Sequence, residues 1–495
     1  MREREGEIIV IGAGPVGLTM ACELLRHGAR ARLVDQRPTR SVHSKALVIT
    51  PRTLEMLDLM GLADAFVGAG NRLHRVTAHA QHEVLASVAF DLLGSPYPFA
   101  LCLPQAETER LLEERLVQLG GRVERGVTFT GLDASPRSVR VTLRGADGIA
   151  ETVTADWVIG CDGAHSAVRH ATGASFRGSA YEDSFVIADV RVDDGVPMDE
   201  VNFYLAEDGA AGFVPFGGGR ARVVATEQSA PDGSAPVPTL AEFQELVMRR
   251  TGIRAPLRDL EWSSRFRVSR RKVGRLRHGR VFLAGDAAHI HSPAGGQGMN
   301  TGMQDAFNLA WKMALVAQER APESLLDSYD AEREPVAETV LRLTDRATQV
   351  ALSRNHALQA LRNYLVPFIA SFHGAQEKLL QGLSELAVDY SRSPIVQQHG
   401  HGPIAAGARL PDGELVEVST GRRRRIFDLL REPRHTLLLF YRGSDEAQPS
   451  ALAGMAREVF GEIATPWLVI PQNQAAVPPA PGIMRDESGL VWKRL

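Results

Sequence analysis

Cysteine is scarce in this chain. Only Cys22, Cys102 and Cys161 occur in 495 residues, and none of them forms a CxxC or a metal-ligand spacing. That argues against a disulfide scaffold and against a cysteine-based metal centre. Two of the three lie in apolar stretches, as reduced core residues do, and a cytoplasmic location is expected. Long apolar runs are missing too, since no stretch approaches the roughly 20 residues that a membrane-spanning helix requires. The first residues, Met1-Arg2-Glu3-Arg4-Glu5, carry mixed charge and do not read as a secretory signal. Charge of one sign is not in excess: 56 Lys and Arg against 59 Asp and Glu leave -3, which points away from nucleic acid and membrane surfaces. What is present, 44% hydrophobic and 23% charged residues, suits a globular protein with a substantial core and two or three domains.

Ile8-Ile9-Val10-Ile11 reads as a short buried strand. Gly12-Ala13-Gly14-Pro15-Val16-Gly17 follows at once, a helix continues to about Arg26, and Gly28 ends it. Ala31–Asp35 is a second strand, closing on an acid 23 positions after Gly12. Strand, GxGxxG, helix, strand and acid in this order make a dinucleotide fingerprint. Gly12 permits the tight turn, Gly14 lets a pyrophosphate reach the backbone, and Gly17 lets helix and strand pack. Asp35 would accept hydrogen bonds from ribose hydroxyls. Arg37, Arg40 and Lys45 come next, as a solvated loop or as cations facing phosphate and ribose.

A second stretch has the same logic. Val281-Phe282-Leu283-Ala284 is a short buried strand, followed by Gly285-Asp286-Ala287-Ala288-His289 and a glycine-rich loop to Asn300. Met303, Phe307, Ala310, Trp311, Ala314 and Leu315 then recur at helical spacing. Such a loop brings bare backbone close to something flat or anionic. The helix behind it directs its unpaired N–H groups and positive dipole end at that object. A flavin is the expected occupant. Between the two stretches, a strand at Val153–Ile159 runs into Gly160-Cys161-Asp162-Gly163 and opens a helix, a third ligand-facing turn at a strand end.

Gly12–Gly17, Asp162-Gly163 and Gly285-Asp286, in that order and spacing, resemble the three motifs of the group A FAD-dependent aromatic hydroxylases. These are single-component flavoprotein monooxygenases of the para-hydroxybenzoate hydroxylase, phenol hydroxylase and aromatic polyketide hydroxylase type. The resemblance covers roughly residues 7 to 390. It implies that Gly12, Ala13, Gly14, Pro15, Val16, Gly17 and Asp35 hold the ADP half of FAD, with Gln36, Arg37 and Val127 beside them. It implies that Asp286, after Gly285, binds the ribityl chain, and that the loop from Pro293 through Gly296, Gly298 and Met299 to Asn300 cradles the isoalloxazine. Asp162 and Gly163 are linked in that family to both FAD and NAD(P)H, and Asp162 is expected to act mainly through indirect contacts. Lys45 and Gln105 fall where relatives contact FAD, although Lys45 replaces the more usual arginine.

The chemistry implied is reduction of FAD by NADPH or NADH, addition of O2 at flavin C4a, and transfer of oxygen from the hydroperoxide to an electron-rich ring. No separate nicotinamide fingerprint occurs, in keeping with transient docking of the reductant. The expected partners are a small aromatic substrate, phenolic or polycyclic and polyketide-like, and O2, with no nucleic acid, membrane or metal. A monomer or homodimer is expected. Baeyer–Villiger oxygenation, a non-oxygenating flavin oxidoreductase and a protein that keeps FAD structurally stay open as alternatives. Flavin halogenases carry a Trp-x-Trp-x-Ile-Pro motif, and the five tryptophans here stand alone. No catalytic base is named; His289 and His291 read as structural or positioning groups.

The expected fold is α/β: a Rossmann-like FAD-binding domain at 1–175 plus 269–395, an antiparallel-sheet substrate domain at 176–268 with part of 72–103, and a thioredoxin-like domain at 405–495. The last assignment rests on resemblance to phenol and polyketide hydroxylases. Phe203, Tyr204, Phe213, Pro215 and Phe216, with Pro293 and Gly295, are the candidate walls of the substrate pocket. Alternate strand residues face opposite ways, so these five aromatic and proline positions cannot all face it. Glu334-Pro335 is expected to kink or end a helix, 391–413 to be a linker, and Gly489–Trp492 to be a last strand. Arg422–Arg425 reads as a solvated loop or an anion or partner contact.

Overall fold

A six-stranded sheet carries the three strands that run into the Gly12, Asp162 and Gly285 turns. Its strands run in the order Arg277–His278, Val281–Leu283, Trp157–Gly160, Ile8–Ile11, Ala31–Asp35, Val123–Arg125. All neighbours are parallel except the Arg277–His278 hairpin. Its central strands are short apolar runs without alternation because both faces are covered. This computed structural model describes residues 8–41, 44, 46–80, 83–192, 195–228, 236–254, 256–291, 296–352, 355–356, 359, 362–363, 365–367, 372–400, 402–443, 448–474, 477–478 and 480–495. The chain divides into two units, one of Met1–Leu54, Ala65–Leu93 and Tyr97–Ala387, the other of Glu55–Asp64, Gly94–Pro96 and Val388–Leu495.

Topology in the first unit does what the sequence spacing alone could not. Val281–Leu283, Trp157–Gly160 and Ile8–Ile11 are adjacent and parallel. Their carboxyl ends, and hence the turns at Gly285, Asp162 and Gly12, come out on one edge of the sheet. The stretch expected as one strand at 153–159 is two. Ala150–Ala155 belongs to a three-stranded antiparallel meander and is largely exposed, whereas Trp157–Gly160 is wholly buried in the parallel sheet. The break at Asp156 separates a one-sided strand from a two-sided one.

An eight-stranded sheet lies in the same unit, in the order His289–Ile290, Leu257–Val273, Phe176–Val192, Arg220–Gln228, Gly209–Gly217, Glu200–Ala206, Arg75–Ala80, Glu83–Ala89. It is antiparallel apart from the parallel pairing of Glu200–Ala206 with Arg75–Ala80. One face packs Val186, Val190, Phe213 and Val223 against Phe243 and Val247 of helix Leu240–Thr251. The other face packs Val201, Val214 and Phe216 against Leu47, Leu73, Phe90 and Cys102. Of the kink or boundary expected at Glu334-Pro335, the boundary is absent: helix Ser328–Leu352 passes through Pro335. A proline removes one helical hydrogen bond, and Tyr329, Val336, Ala337 and Val340 keep the helix buried on both sides of it.

The second unit is a five-stranded mixed sheet, Arg423–Arg425, Glu414–Glu417, Ile483–Asp486, Ala464–Pro471, His435–Phe440 in that order. Opposite faces carry separate cores, one around Leu415, Val469 and Met484, the other around Leu468, Ile470 and Ile483. Two expectations are corrected here. Gly489–Trp492 is not a strand; Leu490–Arg494 is a helix, because Ser488 Oγ accepts the Leu490 amide (3.1 Å) and Asp486 Oδ2 accepts that of Trp492 (2.7 Å). Arg422–Arg425 is not a solvated loop, since Arg423–Arg425 pairs with Glu414–Val416. Arg425 reaches the fully buried Asp58 at 2.9 Å, and Arg424 lies 3.6 Å from Glu417.

Candidate active site

The Gly12 turn is shaped by close approach. A Cβ on Gly17 would stand 1.8 Å from the Gly12 carbonyl oxygen, so the helix can meet the strand only if this residue is glycine. At Gly14, by contrast, a Cβ would meet nothing within 4 Å. Gly14 is the N-cap of helix Pro15–Arg26 and no side chain caps it. The turn thus presents open space and unmet N–H groups to the same point, which suits a pyrophosphate. Asp35, at the end of the next strand, accepts the Ala13 amide at 2.7 Å and Arg37 through its backbone and guanidinium at 2.8–3.1 Å. Burial opposes its charge, but these donors outweigh burial and hold its pKa below the usual aspartate range.

Around that turn, Gln36 is exposed, and the Val127 amide donates to the Asp35 carbonyl at 3.0 Å. Gln105 is oriented at both ends. Its Oε1 accepts the Ala46 amide (3.1 Å) and its Nε2 donates to Glu109 (2.9 Å). The second carboxyl oxygen of Glu109 is buried with no hydrogen-bond partner among the described residues, an acceptor that a bound group could satisfy. Lys45, Pro293 and Gly295 lie outside the described residues.

The Asp162 turn is self-contained. The Asp162 carboxylate accepts the Ser166 hydroxyl and the Val168 amide, and Ser166 caps helix Ala167–Ala171. Gly163 beside it has a φ of 81° and open space around it. Sequence reasoning assigned no role to Arg169, which ties this turn to the next. It is buried, donates to the Ala164 and Ala287 carbonyls (2.9 and 3.0 Å), and lies 4.0 Å over the Phe176 ring.

At the third turn, Gly285 has a φ of 60°, and its would-be Cβ lies 2.8 Å from Val16. The turn is held from beneath by Asp305, a fully buried residue the sequence did not single out. Its Oδ2 accepts the Gly285 amide (3.1 Å) and His289 Nε2 (2.7 Å), and its Oδ1 accepts Arg333 Nε (2.7 Å). Burial alone would raise the Asp305 pKa. Arg333 and His289 outweigh it and hold the group below the usual range. An ionised carboxylate only accepts, so His289 carries its proton on Nε2. That makes His289 a structural donor. Asp286 itself is exposed on the turn.

Helix Gly298–Ala317 starts at Gln297 with no side-chain cap. Gly296 has a φ of 66°, and Gly298 and Met299 are half-buried in the approach and first turn. Asn300 is buried and spends its side chain on the protein: Nδ2 donates to Val48 and Gly296 carbonyls (2.8 and 2.9 Å), and Oδ1 accepts the Thr50 amide (3.0 Å). The first N–H groups of a helix have no partner within it, so this end offers donors to a ligand.

Strand alternation separates the candidate wall residues. Phe203 and Phe216 share the cluster with Leu47, Leu73 and Val48, whereas Tyr204 and Phe213 belong to the cluster beneath helix Leu240–Thr251. Pro215 is buried between Val214 and Phe216. Another residue without a sequence signal is Arg222. It is buried, forms a two-pronged pair with Asp189 (2.7 and 2.8 Å), and donates to the Ser44 carbonyl at 2.6 Å.

Comparison with known proteins agrees with this geometry. Residues 5–344 match the FAD binding domain family. The chain is 38% identical over 472 residues to 6-methylpretetramide 4-monooxygenase of Streptomyces rimosus, covering 92% of this chain and 82% of that protein. It is 33% identical over 479 residues to pentachlorophenol 4-monooxygenase of Sphingobium chlorophenolicum, covering 95% and 86%. Among solved structures it resembles CabE, an aromatic hydroxylase from angucycline biosynthesis, with a TM-score of 0.77 and 32% identity over 96% of this chain and 91% of that one. These relatives do not favour Baeyer–Villiger oxygenation or a flavin oxidoreductase that never uses oxygen. Among the described residues, no helix is long and apolar enough to cross a membrane. The chain belongs to the FAD-dependent aromatic hydroxylases, and it is an enzyme of the flavin monooxygenase type.

Proposed function

We propose that this enzyme hydroxylates a polycyclic, polyketide-like phenol, with NADPH or NADH as reductant. The observation that carries the substrate class is the 38% identity, over nearly the whole chain, to a monooxygenase named for 6-methylpretetramide. Bound FAD supplies the redox chemistry, taking electrons from the reductant and activating O2. The chain's own residues supply placement and electrostatics. Gly12, Ala13, Gly14, Pro15, Val16 and Gly17 receive the pyrophosphate, and Asp35 with Gln36, Arg37 and Val127 borders the adjoining sugar. Lys45, Gln105, Asp162 and Gly163 complete the enclosure. Gly285 and Asp286 meet the ribityl chain. Pro293, Gly296, Gly298, Met299 and Asn300 border the ring system, and the helix end behind them stabilises negative charge on it. Phe203 and Phe216 are the roof residues best placed to line the substrate pocket, because Tyr204 and Phe213 pack under the opposite helix.

The division of labour follows the same lines. Residues 1–175 and 269–395 form the FAD-binding part, 176–268 with part of 72–103 the substrate sheet, and 405–495 a thioredoxin-like unit. The mixed sheet of Val388–Leu495 supports the last assignment, and that segment has no cysteine for thiol chemistry. Three buried free cysteines support a cytoplasmic enzyme, working as a monomer or homodimer. The test is aerobic turnover by the purified yellow protein with 18O2 and a panel of simple phenols and polycyclic polyketides. Labelled hydroxylated product from the polycyclic members supports the proposal. Product from simple phenols alone overturns the substrate class, and reductant consumption with no hydroxylated product from any member overturns hydroxylation.

A further inference from the structure

Among the described residues, three that are not glycine have a positive φ: Asp259, Glu319 and Glu385. Asp259 and Glu319 are exposed. Glu385 is 4% exposed, with a φ of 59°. A long acidic side chain in the left-handed region and in the core is held there by its surroundings, and such positions collect at functional sites.

Its surroundings converge on one helix end. Glu385 Oε1 accepts the Thr301 hydroxyl at 2.9 Å, and Oε2 accepts Gln304 Nε2 at 2.7 Å and the Thr50 hydroxyl at 2.9 Å. Thr301 and Gln304 lie in the first two turns of helix Gly298–Ala317. Four residues before Thr301, Gln297 Nε2 donates to the Gly382 carbonyl at 2.8 Å, and the Arg52 amide donates to that of Ser384 at 3.1 Å. Asn300 closes the brace by bonding Val48 and Thr50. Every donor to the Glu385 carboxyl is neutral. Burial pushes its pKa up against the pull of those donors and of the Arg333 charge, and its three hydrogen bonds set the geometry of the brace.

We propose that Glu385 is a positioning residue of the flavin site: its carboxyl locks the first turns of helix Gly298–Ala317 against Thr50, and so fixes the direction of the N–H groups that this helix end presents to the flavin. The proposal rests on placement of the flavin ring at that helix end. Removing the carboxyl lets the first turn fray, and the flavin loses aligned donors without losing any group that touches it.

The test compares wild type with Glu385→Ala, Glu385→Gln, Thr301→Val and Asp286→Ala. The readouts are FAD affinity by fluorescence quenching, the visible spectrum of bound FAD, and hydrogen exchange at residues 298–304 in the FAD-free protein. Glu385→Ala is expected to weaken FAD about tenfold, equivalent to one decade in Kd, to shift the flavin spectrum and to speed exchange at 298–304. Glu385→Gln keeps an acceptor for Thr50 and Gln304, and its amide can donate to the Thr301 hydroxyl, so it is expected to restore all three readouts. If Glu385→Ala does not fold, Thr301→Val removes a single donor and decides the matter through the same readouts at about threefold. Unchanged affinity, spectrum and exchange in the folded variant overturn the proposal, as does a Glu385→Gln protein that behaves like Glu385→Ala. If Asp286→Ala weakens FAD while Glu385→Ala does not, the positioning role alone fails. If neither changes FAD binding, the flavin placement fails with it.

Discussion

Two buried carboxyl groups, Asp305 and Glu385, hold the same helix end by different means. Asp305 lies within helix Gly298–Ala317 and is met by Arg333, His289 and the Gly285 amide. Glu385 lies outside the helix and is met by two hydroxyls and one amide. The same burial therefore ends in opposite directions: the Asp305 pKa is lowered and that of Glu385 is raised. An ion-paired hub suits a turn that must stay rigid, because losing one partner strands a charge in the core. A hub whose hydrogen-bond donors are all neutral resists less, although the Arg333 charge acts on both carboxyl groups.

The contrast predicts a ladder of effects. Asp305→Ala should be the most damaging change, costing about 3–5 kcal/mol because Arg333 is left buried without its counterion. Urea unfolding of the FAD-free protein measures this, and a loss under 1 kcal/mol would refute the ion-paired hub. His289→Ala removes one donor from a buried carboxylate and should cost about 1–3 kcal/mol in the same assay. A loss equal to that of Asp305→Ala would mean that His289, and not Arg333, dominates.

A pH series separates the hubs by sign. The Asp305 pKa is lowered on folding, so its contribution is present above the ordinary aspartate value and disappears as pH falls through the folded value. The stability advantage of wild type over Asp305→Asn should therefore shrink on the acid side. The Glu385 pKa is raised on folding, so its contribution is present below the ordinary glutamate value and is lost as pH rises through the folded one. The advantage over Glu385→Gln should shrink towards higher pH. Two curves of the same sign would break the distinction. At the bottom of the ladder, Arg423→Ala removes an exposed ion pair with Glu414 and should change melting by no more than about 0.5 kcal/mol.

Residues close together in the chain were the legible ones. The Gly12, Asp162 and Gly285 turns were readable because each combines a short apolar strand, glycine and an acid within a few residues. The helix running from Pro15 to about Arg26 was readable for the same reason. The hubs were not. Glu385 meets Thr50 across 335 positions, and nothing local distinguishes it from a surface glutamate. Asp305 has the spacing of any polar residue on an amphipathic helix. Strand limits failed where one strand left a sheet for another, as at Asp156, and the Arg422–Arg425 run misled because its partners lie elsewhere in the chain.

The sequence by itself determined that three glycine- and acid-bearing turns stand at the ends of buried strands, because backbone sterics and strand burial are local requirements. Tertiary structure alone decided that those turns share one edge of one sheet, since strand order depends on pairings between segments more than 100 residues apart. It also decided which aromatics of the eight-stranded sheet face which core, and whether a buried carboxyl group has its pKa lowered or raised. Those outcomes depend on what packs around a residue, and a residue's neighbours in sequence do not carry that information.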